Sequence, residues 1–204
     1  MVQAPVRELP IVAGHLALDF ANTIDDPDGP ARFDHIATYP ALLQWCTRVD
    51  LVDSHQAVRL EDLAQTRGRQ AAAVLRQAHR LRQTLNQTFG QIAAGATPEA
   101  ESWNQLRTLA GEALAAAALD QAGDRYQLSW TTAADLAVPL YPIAHTASGL
   151  LTSPDLGRVK RCAGCPWLFL DRSKNSSRRW CAMNDCGTHE KIRRYVARRR
   201  AQHA

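Results

Sequence analysis

The sequence predicts a mainly helical body with a small β-sheet (α+β) over residues 1–155, followed by a small cysteine-bearing module over residues 156–204. Three observations lead there. One long stretch repeats apolar residues at three- and four-residue steps, two short stretches alternate instead, and four of the five cysteines crowd into the last fifth of the chain. Apolar residues make up 46 % and charged residues 22 % of 204 residues, an ordinary globular composition with room for one sizeable core. There is no run of about 18 apolar residues, so no membrane partner is expected. The stretch around Ile11 to Ala21 holds His15 and Asp19 and lacks a basic start, unlike a signal peptide. A cytoplasmic, reducing setting is therefore expected, in which clustered cysteines bind metal rather than form disulfides.

Taken in order, residues 14–23 carry too little helical periodicity, and their middle reads as a short strand. Asp25 to Pro30 is a turn-rich loop. Helical spacing begins near Tyr39, with Leu42, Leu43, Trp45 and Val49 on one side. Ser54 reads as the N-cap of a helix ending near Gly68. From Gln70 to Ala93 the stripe Val74, Leu75, Ala78, Leu81, Leu85, Phe89 and Ile92 marks a long core-facing helix. Thr97 and Pro98 resemble a cap with proline at the first helical position, opening a helix to about Leu119. Arg125 to Trp130 alternates as a strand. Thr132 with Asp135 resembles a capping box before an apolar helix to Leu151, kinked or split early by Pro139 and Pro142.

The charge is unevenly divided. Residues 1–157 hold 11 Arg and no Lys against 17 Asp and Glu, a net of −6, whereas residues 158–204 hold 13 Lys and Arg against three acids, a net of +10. An acidic body with a basic end module points to a polyanionic partner.

That module carries the chemistry. Cys162 and Cys165 are two residues apart; Cys181 and Cys186 follow after fifteen intervening residues, with the last pair wider by two. Four thiolates at this spacing suit one tetrahedral zinc ion and leave no position open for water, so the Zn²⁺ is expected to be structural. His189 is a further ligand by type, but four sulfurs already complete the set. Between the pairs, Pro166 to Trp180 reads as a β-hairpin with a polar turn. Lys191 to Arg200 reads as a helix with Ile192, Tyr195 and Val196 inward and Lys191, Arg194 and Arg198 outward. Knuckle, hairpin, second pair and helix together suggest a treble-clef-like zinc finger.

These motifs resemble the CGNR zinc finger: Cys162-x-x-Cys165, Phe169-Leu170-Asp171-Arg172-Ser173, Arg178-Arg179-Trp180-Cys181 and Cys186-Gly187-Thr188-His189. The body is similar to the ABATE domain that accompanies that finger, through Leu18-Asp19-Phe20-Ala21-Asn22-Thr23 and Leu43-Gln44-Trp45. The resemblance spans nearly the whole chain and implies a stress-induced transcription regulator that binds DNA. Where the family motif carries Asn and Arg, this chain has Thr188 and His189, which removes one fixed positive charge at the start of the finger helix.

For phosphate contact the candidates are Arg172, Arg178 and Arg179 in the expected hairpin and Lys191, Arg194 and Arg198 on the helix. His15, Asp19, Asn22 and Trp45 are weaker candidates for a pocket that senses a small-molecule effector; the plainer reading has Asp19 and Asn22 bonding a strand end and turn. Cys46 and His145 read as buried core residues. The chain carries no zincin spacing, Walker loop or nucleophile elbow, so the expectation is not an enzyme. A zinc-stabilised protein-interaction module and an enzyme built in the helical body are the rival readings, and homo-oligomerisation is left open.

Overall fold

A computed structural model describes residues 9–26, 32–130 and 135–202, with the side chains of all but Arg194 and residues 200–202. Its helices are α1 (Leu16–Ala21), α2 (Tyr39–Arg48), α3 (Ser54–Thr66), α4 (Gly68–Ala93), α5 (Ala100–Ala115), α6 (Tyr141–Leu151) and α7 (Thr188–Gln202). Strands come in three antiparallel pairs: β1 (Ile24–Asp25) with β2 (Phe33–Asp34), β3 (Ala118–Ala122) with β4 (Arg125–Ser129), and β5 (Val159–Arg161) with β6 (Leu168–Leu170). The expected mainly helical body with little sheet is what the chain forms.

α4 is the spine. Val74, Ala78, Leu81, Leu85 and Phe89 along its predicted stripe are buried, and α1, α2, α3 and α5 pack on it. The segment expected to hold a short strand is instead α1. Ala17 to Ala21 are all buried between α4, α6 and β6, so the residues lack the polar face from which a helical period is read. His15 caps it, its Nδ1 accepting the Ala17 N–H at 3.3 Å. Gly14, at φ +73°, turns the chain into that cap, a conformation that disfavours any side chain.

Other boundaries shift for local reasons. Asp53, not Ser54, caps α3, because its carboxylate accepts the Gln56 N–H at 2.7 Å. α5 begins after Glu99 rather than at Thr97–Pro98, tied to α4 by the Gln91 side chain, which accepts the Glu99 N–H at 3.0 Å. It stops at Ala115, and residues 118–122 pair with the predicted strand, in register Ala118↔Ser129, rather than extending the helix to Leu119. Thr132 lies outside the described residues. Asp135 accepts the Ala137 N–H at 2.8 Å, and a 3₁₀ turn at Val138–Leu140 precedes α6, so the two prolines do split the helix start.

One apolar core runs through both sequence parts. Trp167, Leu168, Phe169 and Leu170 are buried in the same cluster as Phe20, Leu81, Leu85 and Phe89. The N–H of Leu170 donates to the Ala13 carbonyl at 2.8 Å, and the Asn22 amide grips Leu168 from both sides, donating to its carbonyl at 2.8 Å and accepting its N–H at 2.9 Å. Body residues thus occupy the edge of β6 that β5 leaves open.

Candidate metal centre and nucleic-acid interface

β5 and β6 form a hairpin whose loop is the first cysteine pair. This corrects the expected hairpin over 166–180: the alternating stretch 168–170 pairs backward, Val159↔Leu170, and not with the residues after the turn. The reason is Asp171. Fully buried, its carboxylate accepts Lys160 Nζ at 2.7 Å, the Ser173 N–H at 3.0 Å and the Arg178 N–H at 2.8 Å. Burial pushes its carboxyl up, but Lys160 and these donors outweigh that and hold it well below the usual carboxylate range. Lys160 also donates to the Ser176 carbonyl, so residues 173–178 are drawn into a turn around one carboxylate rather than a returning strand.

That turn delivers Cys181 to the knuckle. The four sulfurs of Cys162, Cys165, Cys181 and Cys186 lie within 4.8 Å of one another, with Cys165 to Cys181 at 3.6 Å and Cys181 to Cys186 at 3.8 Å. Zinc at about 2.3 Å from four tetrahedral sulfurs requires sulfur–sulfur edges of about 3.8 Å, whereas a disulfide needs about 2.05 Å. Cys162 Sγ accepts N–H groups from Gly164 at 3.4 Å and Cys181 at 3.3 Å. Against the effect of burial, these donors hold its thiol below the ordinary value. A Cβ on Gly164 would come within 3.1 Å of Cys186 Cβ, so a side chain there would press on the second cysteine pair. The two extra residues between Cys181 and Cys186 are absorbed by a π-helical turn, Met183–Gly187, which returns Cys186 to the cluster. The site fits one structural zinc ion. His189 stands apart, largely exposed, with Nδ1 3.3 Å from Asp185.

The basic candidates fall into different environments. Arg178 is committed inward: it donates to the Cys181 carbonyl at 2.6 Å and lies over the Phe169 ring at 4.8 Å. Arg179 is exposed and stacked on Trp180. Arg172 is exposed beside His15, whose imidazole is held below its ordinary pKa by burial and then by that guanidinium. Lys191 and Arg198 are exposed on α7; the Arg194 side chain lies outside the described ones. Arg193 and Arg199, exposed on the same helix, were not singled out from the sequence. Ile192, Tyr195 and Val196 do not face inward as expected. They are 55 %, 60 % and 40 % exposed, because among the described residues α7 packs chiefly on the π-helical turn before it.

Of the weaker pocket candidates, His15 and Asp19 line one cleft of about 590 Å³ together with Arg48 and Arg172, and Asn22 and Trp45 lie outside it. Asn22 is the β6 clamp. Trp45 is buried against Phe20, ring centroids 5.2 Å apart. Asp19, buried, accepts the Ala13 N–H at 2.9 Å, and burial raises its carboxyl pKa despite the backbone donors. His15 serves as the α1 cap. Cys46 is fully buried, and burial pushes its thiol up. His145 sits against Trp130, ring centroids 5.6 Å apart.

Among the described residues no helix is long and apolar enough to cross a membrane. No curated protein matches the chain significantly. Two family profiles do. One, ABATE, described as "Putative stress-induced transcription regulator", matches residues 14–154, and the CGNR zinc finger matches residues 158–199. Neither describes an enzyme. The chain therefore belongs to the ABATE family and ends in a CGNR zinc finger, a zinc-binding regulator type of protein.

Proposed function

We propose that the protein is a DNA-binding transcription regulator whose zinc finger presents α7 and the Arg172–Arg179 turn to a phosphate backbone. The observation that carries this is the fate of the basic residues. Arg158, Lys160, Arg161 and Arg178 bind carbonyls or carboxylates within the fold, whereas Arg172, Lys174, Arg179, Lys191, Arg198 and Arg199 stand exposed on one small module. Each phosphate such a residue neutralises releases a condensed counterion, so binding through about five contacts gives a slope of about −4 to −5 in log K against log salt. Fluorescence titration of a labelled duplex with zinc-loaded protein at several salt concentrations measures it. Lys191→Ala with Arg198→Ala is expected to flatten the slope by about one unit per lost contact, similarly across sequences. Thr188→Asn with His189→Arg restores the family residues at an exposed corner and is expected to strengthen binding.

A second reading has one specific observation in its favour: Ile192, Tyr195 and Val196 form an exposed apolar stripe on α7. On that reading the finger is a docking platform for another protein. Absence of duplex binding even at low salt removes the regulator reading and leaves the platform.

A further inference from the structure

The body contains a second basic site, set against its own acidic background. Three of its 11 arginines, Arg32, Arg80 and Arg82, line one cleft of about 590 Å³ beside α4, with Asp34 and Asn86 on its walls. Arg82 is buried, and Asp34 neutralises it through two bonds of 2.6 and 2.8 Å, while a third goes to the Thr23 carbonyl at 3.2 Å. Those bonds use three of its five N–H donors. The Asp34 carboxyl reflects the pairing: burial pushes its pKa up, yet Arg82 brings it below the ordinary range. With that pair cancelling, Arg32 and Arg80 remain, both exposed and without a carboxylate partner among the described residues. Two guanidiniums held in no close ion pair, over a cleft with amide walls, suit an anion with a polar body.

We propose that this cleft binds a small multivalent anion, a phosphate-bearing or polycarboxylate compound, held by Arg32 and Arg80 over the Arg82–Asp34 pair and by the Asn86 amide. The cleft also borders the finger. Asn86 Oδ1 lies within 3.5 Å of Arg161 Nη2, and Arg161 crosses α4 at Gly90, where an added Cβ would collide with its guanidinium. An anion that engages Asn86 therefore acts beside Arg161, the β5 residue immediately before Cys162, the first sulfur of the metal cluster. The binding goes beyond the DNA reading and stands without it; only its use as a signal to the finger rests on that reading.

Isothermal titration of the zinc-loaded full chain with inorganic phosphate and with succinate, at constant ionic strength, tests it. One-to-one binding is expected, and the tighter of the two probes identifies phosphate or carboxylate as the recognised group. Arg32→Ala and Arg80→Ala, both at exposed positions, are each expected to weaken binding roughly three- to tenfold with an unchanged melting temperature in the absence of anion. Arg198→Ala with Arg199→Ala, on the finger, is expected to leave it unchanged. The proposal is overturned if neither probe binds at millimolar concentration, or if the finger variants abolish binding while the cleft variants do not. Loss of DNA binding with anion binding retained would refute the regulator reading alone.

Discussion

Replacing Asn22 tests how much one side chain contributes to joining the two sequence parts. Its amide makes two bonds with the Leu168 backbone, at 2.8 and 2.9 Å, and both residues are buried. Asn22→Ala leaves that N–H and carbonyl without partners and without water. At about 1–3 kcal/mol for each of the two buried polar groups left unmade, the loss is about 2–6 kcal/mol, or roughly 4–24 °C in melting temperature for a chain of this size. Asn22→Asp is the sharper probe. Its carboxylate can still accept the Leu168 N–H but sets a second oxygen against the Leu168 carbonyl. Burial raises such a carboxyl's pKa, and the protonated form can donate where the amide did. A folded-state pKa above the unfolded one means the penalty is full at neutral pH and shrinks as pH falls. Urea denaturation of zinc-loaded protein, followed by tryptophan fluorescence between pH 5.5 and 7.5, reads both. The reasoning fails if Asn22→Ala costs less than about 0.5 kcal/mol, or if Asn22→Asp gains nothing on Asn22→Ala at the acidic end.

Elemental analysis is expected to return about one zinc per chain, and Cys181→Ala to abolish binding and render α7 protease-sensitive, since the metal's apparent contribution is on the order of 10 kcal/mol; a metal-free protein with an intact α7 contradicts this. Asp171→Asn is expected to cost about 2 kcal/mol by weakening the bonds to Lys160, Ser173 and Arg178. Because the native carboxyl sits below its usual range, its stabilisation is complete above the unfolded value of about 4 and fades only as pH drops below it. The difference between the two proteins in denaturant should accordingly be flat from pH 5 to 8. A chain ending at residue 155 lacks Trp167 to Leu170 and uncovers Phe20 and Phe89; size-exclusion chromatography and dye binding should show association or a loosened core, and a monomer with full cooperativity would show that the body closes without them.

Spacing made the metal site readable, since tetrahedral zinc constrains ligand type and separation whatever surrounds it. The α4 stripe was readable because that helix has one buried and one wet side. α1 was not, because burial on every side erases the contrast on which a helical period depends. The strand partner is not legible in the sequence, because alternation in Leu168–Leu170 says which residues form a strand and nothing about which strand they join. For Ile192, Tyr195 and Val196 the helical spacing holds and the inward face does not, as among the described residues these side chains stay exposed and α7 packs chiefly on the π-helical turn before it. Arg178 counted as a free charge until the turn around Asp171 aimed it at the Cys181 carbonyl. Such contacts depend on backbone geometry that residue types alone do not specify.

α7 is fastened at one end. Its 15 residues leave the π-helical turn with nothing but Glu190 less than exposed among the described side chains. Such a helix is about 22 Å long, so a tilt of about 5° at its root moves its tip by about 2 Å. The zinc centre is then a pivot, and the helix is a lever arm carrying its charges outward from it. A small tilt at the sulfur cluster would displace Arg198 and Arg199 far more than Lys191, which lies near the pivot. Under the proposed function, contacts close to the metal would fix the position of the duplex, and those at the far end would adapt to its shape.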